Sequence, residues 1–376
     1  MNFNIKKDEF LKGLSRVQSV ADRRNTMPIL ASVLIEAGDG GISVTATDLE
    51  IGMRGVYQAE VGAPGGVTVS ARKLYEIVRE LPEQDVSVES AENNWAVIKS
   101  GSAVFRFTGL PKEEFPTLPE MEGAEFIPVD PGVMRGLIRK TIFAAGDNDT
   151  RYVLNGVYMT MEAGKGGLGL QMVGTDGHRL AIHKAVLAGV SEAPKDMEGT
   201  GSAIIPKKSA FELKKLLDED APGLMMALSK NHIVFKIDSL YMVTRLIEGS
   251  YPNYEAVIPK DNGLTVVVDN PAFTSALRRV SLLSRERTNA VKFSFSEMKA
   301  VLSAQNPEMG EASEEMAVDY HGEPLEVGFN ARYLQDALAQ MDEGRVELRL
   351  KDALSPCILS PVGDGSYRCV VMPMRI

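Results

Sequence analysis

Cysteine is nearly missing from this sequence: Cys357 and Cys369 are the only two in 376 residues, and neither belongs to a CxxC or a Cys/His cluster. A disulfide framework and a structural zinc site are therefore not expected. Histidine is scarce too, with His178, His183, His232 and His321. The nearest two, five apart on a predicted strand, point to opposite faces, so no metal site is expected from them. No apolar run approaches the ~18 residues of a membrane span, and MNFNIKKDEFLKGL puts charge where a signal peptide needs an apolar stretch. A cytoplasmic protein without membrane contact is expected. The P-loop pattern is absent, and GKGGLG at 164–169 joins two strand patterns, which predicts a hairpin loop instead of a phosphate cradle. No serine has a nucleophile-elbow setting and no carboxylate pair stands out, so neither catalytic residues nor a cofactor can be assembled.

What is present is repetition. An apolar helical stripe occurs three times, at Phe10, Leu14 and Val17, at Met134, Leu137 and Ile138, and at Phe273, Leu277 and Val280. Alternating strands follow the first two stripes and end in a shared dipeptide, Thr47 with Asp48 and Thr175 with Asp176, which the third copy lacks. A second helix pattern comes next, in SARKLYEIVREL, PKKSAFELKKLL and NARYLQDALAQM. Pro-marked turns close the units, whose landmarks recur at about 125 residues. Three domains of one α+β design follow, with boundaries placed at 1–122, 123–255 and 256–376, and a further halving inside each.

The net charge of −10 taken alone argues against nucleic acid. Its distribution argues otherwise. Residues 5–24, 131–146, 207–217 and 271–287 each carry +3, while 72–81 carry +1 and 331–341 are neutral. Together the helical segments hold +13, which leaves −23 for the rest. Positive charge confined to helices suits a phosphate backbone, and without interleaved aromatics or a base-reading motif the contact would be blind to sequence.

The heptapeptide TDGHRLA at 175–181 could hold a metal, move a proton or grip a phosphate. With RYVLNGV at 151–157, NTMPIL at 25–30, YPNYEAVIP at 251–259 and the terminal VVMPMRI, it resembles in order, over the whole chain, the bacterial DNA polymerase III beta subunits, the replicative sliding clamps. The resemblance implies a DNA clamp fold: a ring-shaped homodimer, joined head to tail, with helices lining a central hole and antiparallel sheets outside. It implies no enzymatic activity. Double-stranded DNA would thread the hole, and DNA polymerase III, other polymerases, the clamp loader and repair proteins carrying QLxLF-like peptides would be partners.

By the same resemblance a hydrophobic cleft that takes these peptides comprises Arg151, Leu154, Thr175, Gly177, His178, Arg179, Leu180, Pro252 and Val257, with Val370, Met372, Pro373, Met374 and Arg375 from the C-terminal tail. Lys12, Arg16, Arg24, Lys73, Arg139 and Lys207 would face DNA, and Phe107, Leu282 and Leu283 would lie at the dimer interface. Two competing readings are a peptide scaffold that binds no DNA and a hydrolase using Asp176 and His178.

Overall fold

The computed structural model describes residues 1–21, 27–82, 85–121, 123–164, 166–190, 201–219, 221, 223–342 and 344–375. Its first repeat runs β1 (Asn2–Lys6), α1 (Lys7–Val17), β2 (Ser32–Gly38), β3 (Gly41–Thr47), β4 (Ile51–Tyr57), β5 (Glu60–Ala63), β6 (Gly65–Ser70), α2 (Ala71–Glu80), β7 (Asp85–Ser90), β8 (Trp95–Ser100) and β9 (Ala103–Thr108). The second holds β10 (Ile127–Val129), α3 (Pro131–Ile142), β11 (Gly156–Gly164), β12 (Gly167–Thr175), β13 (Arg179–Leu187), β14 (Ser202–Pro206), α4 (Lys207–Asp218), β15 (Leu224–Leu228), β16 (His232–Ile237) and β17 (Leu240–Arg245). The third holds β18 (Leu264–Asp269), α5 (Asn270–Ser281), β19 (Ala290–Ser296), β20 (Lys299–Asn306), β21 (Gly310–Ala317), β22 (Leu325–Asn330), α6 (Ala331–Leu338), β23 (Arg345–Leu350), β24 (Cys357–Pro361) and β25 (Tyr367–Val371).

Apart from β5, each repeat is a strand, a helix and three strands, written twice. That is the halving expected from the sequence, with more strands than its patterns reveal. Each half lends its first strand to the other half's sheet: β6 joins β2, and β1 joins β7. The helices lie where the apolar stripes put them, because one face is buried in each case. Phe10, Leu14 and Val17 of α1 are buried, as are Met134, Leu137 and Ile138 of α3 and Phe273, Leu277 and Val280 of α5. At the start of α5 the Asp269 carboxylate accepts from the Ala272 N–H at 2.9 Å, and Asn270 and Pro271 occupy the first turn.

Compactness follows the sheets, not the repeats. One unit comprises Met1–Gly132 with Phe211–Leu246, and the remaining described residues form a second. In the first unit the strands of the second half of the middle repeat continue the sheet of the first repeat, in the order β10-β15-β16-β17-β4-β3-β2-β6. In the second unit the order β14-β11-β12-β13-β25-β24-β23-β18 repeats that arrangement one step along the chain. Two sheets are left as halves: β5-β1-β7-β8-β9 in the first unit and β21-β20-β19-β22 in the second. The core of the second unit is aromatic at its centre, where Phe293 packs against Phe273, Phe295 and Phe329 with ring centroids 5.8–6.2 Å apart.

Candidate functional site

TDGHRLA forms the connection between β12 and β13, with Thr175 paired to Leu180 in register. Its polar side chains serve the turn. The Asp176 carboxylate accepts from the N–H groups of His178 at 2.9 Å and Arg179 at 3.0 Å, and the Thr175 hydroxyl donates to the Arg179 carbonyl at 2.6 Å. Gly177 sits at φ +85°, and a Cβ on it would come within 2.9 Å of Arg151 Nη1. The first repeat builds the same turn: Thr47 donates to the Ile51 carbonyl, and Asp48 accepts from Glu50 and Ile51, with Leu49 at φ +76° in place of glycine. His178 therefore lies in a turn and not, as its spacing from His183 suggested, on a strand. Among the described residues no group of three or more His, Cys, Asp or Glu is placed to hold a metal.

Arg179 is the anchor of the turn. Its side chain is 13% exposed and reaches Asp176 at 3.1 Å, Asp336 of α6 at 2.5 Å and the Phe143 carbonyl at 2.7 Å. The guanidinium also lies over the Tyr333 ring, 4.6 Å from its centroid, and His178 stacks on that ring at 6.4 Å. Arg151 donates to the Asp176 carbonyl at 3.1 Å and pairs with Asp149 at 2.8 Å, and this hydrogen bonding holds the Asp149 carboxyl down at about 2.

The tail closes on the same turn. Met372 N–H donates to the His178 carbonyl at 3.0 Å, Val370 pairs with Leu180, and Met374 N–H donates to the Gly328 carbonyl at 2.8 Å. Leu180 and Val370 belong to one apolar cluster with Val173, Ile182 and Ile358, over which Tyr251, Tyr254 and Ile258 pack. These cover residues flank Pro252 and Val257 in the sequence. Not all the expected cleft residues offer surface: Leu154, Leu180 and Val370 are buried, whereas Pro252 is exposed and Val257 is 42% exposed. Met372, Pro373 and Met374 are half-buried, Arg375 is exposed and Ile376 lies outside the described residues.

Tyr158, Tyr251, Tyr254, Tyr333 and Asp336 hold or cover this site and escaped the sequence reading. Tyr251 and Tyr254 fall inside YPNYEAVIP, and Tyr333 and Asp336 share one face of a predicted helix at a spacing of three.

The basic residues are more committed than their formal charge suggests. Arg16 is 11% exposed and pairs with Glu219 at 2.7 Å, Arg139 pairs with Asp342, and Lys73 pairs with Glu76 at 3.0 Å. Lys207 donates to the Ala145 carbonyl at 2.8 Å and pairs with Asp147 at 2.9 Å. Lys12 is exposed and makes no ion pair among the described residues, and Arg24 lies outside them. Phe107 is half-buried on β9, and Leu282, just past α5, is 74% exposed beside the half-buried Leu283.

Repeated helix-and-strand halves that share sheets across repeat boundaries, with basic residues on the helices, define a three-domain α+β protein of the clamp class. Models of the DNA polymerase III beta subunit match the chain in three consecutive parts: the N-terminal domain over 1–119, the central domain over 128–253 and the C-terminal domain over 255–375. The beta sliding clamp of Caulobacter vibrioides is 36% identical over 378 residues, and that of Bacillus subtilis 31% over 386, each alignment covering 100% of both chains. The crystal structure of a DnaN sliding clamp from Bartonella birtlesii bound to griselimycin matches with TM-score 0.92 and 36% identity, again over 100% of both chains. The chain belongs to the DNA polymerase III beta subunit family, and its function is that of a DNA sliding clamp.

Proposed function

We propose that two copies of the chain join head to tail into a closed ring around duplex DNA in the cytoplasm, and that the ring tethers polymerases, the clamp loader and repair proteins without catalysing a reaction itself. The three domains of this reading run over 1–122, 123–255 and 256–376. The supporting observation is the pair of unfinished sheets. In both complete sheets the last strand of a repeat pairs antiparallel with the strand that follows the dipeptide turn of the preceding repeat: β17 with β4, and β25 with β13. The strands that remain by this rule are β9 and β21, both edges. Pairing them between copies completes the third sheet and removes two exposed strand edges. Val104, 62% exposed, and Phe105 on β9 supply apolar surface there, and the interface residues Phe107, Leu282 and Leu283 are assigned to the same junction.

Lys12, Lys73, Arg139, Lys207, Arg16 and Arg24 are assigned to the DNA side. The pairing of Arg16, Lys73, Arg139 and Lys207 with carboxylates suits weak, exchanging phosphate contacts that permit sliding. The cleft around TDGHRLA takes partner peptides: Pro252, Val257 and Met372 offer apolar contact, and Arg151, His178 and Arg179 fix orientation.

The test is retention on nicked circular plasmid after loading with a clamp loader and ATP, in salt that strips ordinary phosphate contacts. Protein that stays on the circle and leaves on linearisation is held by topology, as expected. Equal loss from circle and line, with a loader active on another clamp, would leave the peptide-scaffold reading in its place.

A further inference from the structure

A groove of about 640 Å³ lies on one face of the sheet in the second unit, against the segment 251–255. Strand alternation brings Glu162 of β11, Gly169 and Gln171 of β12 and Lys184 of β13 to that face. Gly169 is paired with Glu162, and its lack of a side chain leaves the floor open. The other wall is aromatic. Tyr251 stacks on Tyr158 at 4.8 Å and 7°, and the Tyr254 hydroxyl accepts from Gln171 Nε2 at 2.6 Å. Glu162, Tyr254 and Glu255 line the groove together; burial pushes the Tyr254 hydroxyl up, and the two carboxylates push it the same way. Neither carboxylate makes an ion pair among the described residues, and they outnumber the single ammonium of Lys184 in the lining.

We propose that this groove takes a cationic side chain, arginine or lysine, carried by a partner segment next to the part that occupies the cleft. The proposal rests on the cleft reading and deepens it, since Pro252 belongs to the cleft and also lines the groove. Two unpartnered carboxylates beside tyrosine rings attract a guanidinium by charge-assisted hydrogen bonds and by the ring faces. An anionic side chain would meet two like charges for one opposite.

The experiment is a set of fluorescence anisotropy titrations of the full chain with three kinds of peptide. One carries the apolar QLxLF motif alone. The others add, through a Gly-Ser spacer at either end, an arginine or a glutamate. Arginine on one flank is expected to tighten binding about fivefold, glutamate is not, and the double variant Glu162→Gln with Glu255→Gln should lose the gain while binding the motif alone as before. No gain from arginine on either flank, an equal gain from glutamate, or a gain kept by the double variant overturns the groove while leaving the cleft standing. A motif peptide that fails to bind overturns the cleft reading and the proposal with it.

Discussion

At the scale of single residues, the turn at TDGHRLA and its twin at TDLEI make a controlled pair. Both need a left-handed residue at their third position, filled by Gly177 at φ +85° and by Leu49 at φ +76°. Only glycine takes that conformation without a clash between Cβ and carbonyl. Gly177→Ala is therefore expected to cost about 1–2 kcal/mol and to weaken peptide binding by displacing Arg151. Leu49→Gly should be neutral or stabilising; thermal melts of the two variants check the pair, and equal losses would contradict it. Asp149 gives a second prediction. Its carboxyl is held down at about 2 by Arg151, so its contribution to stability is complete above the ordinary carboxylate range and fades as the pH falls towards that value. A carboxyl NMR titration of Asp149 with a midpoint near 4 would remove the ion pair from the account. The dipeptide's recurrence was visible in the sequence, yet its meaning was not: threonine and aspartate look alike whether they bind a ligand or their own backbone.

Among the elements, helices were legible and sheets were only partly so. Phe10, Leu14 and Val17 announce α1 by spacing alone, because one side of that helix is buried and the other is wet. Strands such as β24, buried along its whole length, carry no alternation to read, and the exchange of first strands between halves depends on pairing distant in sequence. The same limit applied to the site. Arg179 was expected there, but its partner Asp336 comes from α6, 157 residues away. Asp336→Ala should cost about 1–3 kcal/mol by leaving the guanidinium short of a partner; chemical denaturation measures it, and an unchanged midpoint would show that Asp176 alone suffices. At the proposed junction, Leu282→Asp with Leu283→Asp should give monomers, since an unpaired charge buried between copies costs about 3 kcal/mol or more. Light scattering decides this, and a dimeric mass for the double variant would move the junction elsewhere.

For the whole molecule, repetition and charge segregation were both legible because they are sums over long stretches and survive local errors. The division into compact units was not, since sheets cross the repeat boundaries. The two cysteines belong to one of those crossing sheets. Cys357 on β24 and Cys369 on β25 are buried, and burial pushes both thiols up, that of Cys369 to about 12. At neutral pH they are neither ionised nor within reach of a reagent. A thiol-reactive dye can thus label the native chain only while that sheet is open, so the two sulfurs form a built-in clock whose ticking rate is the rate of opening.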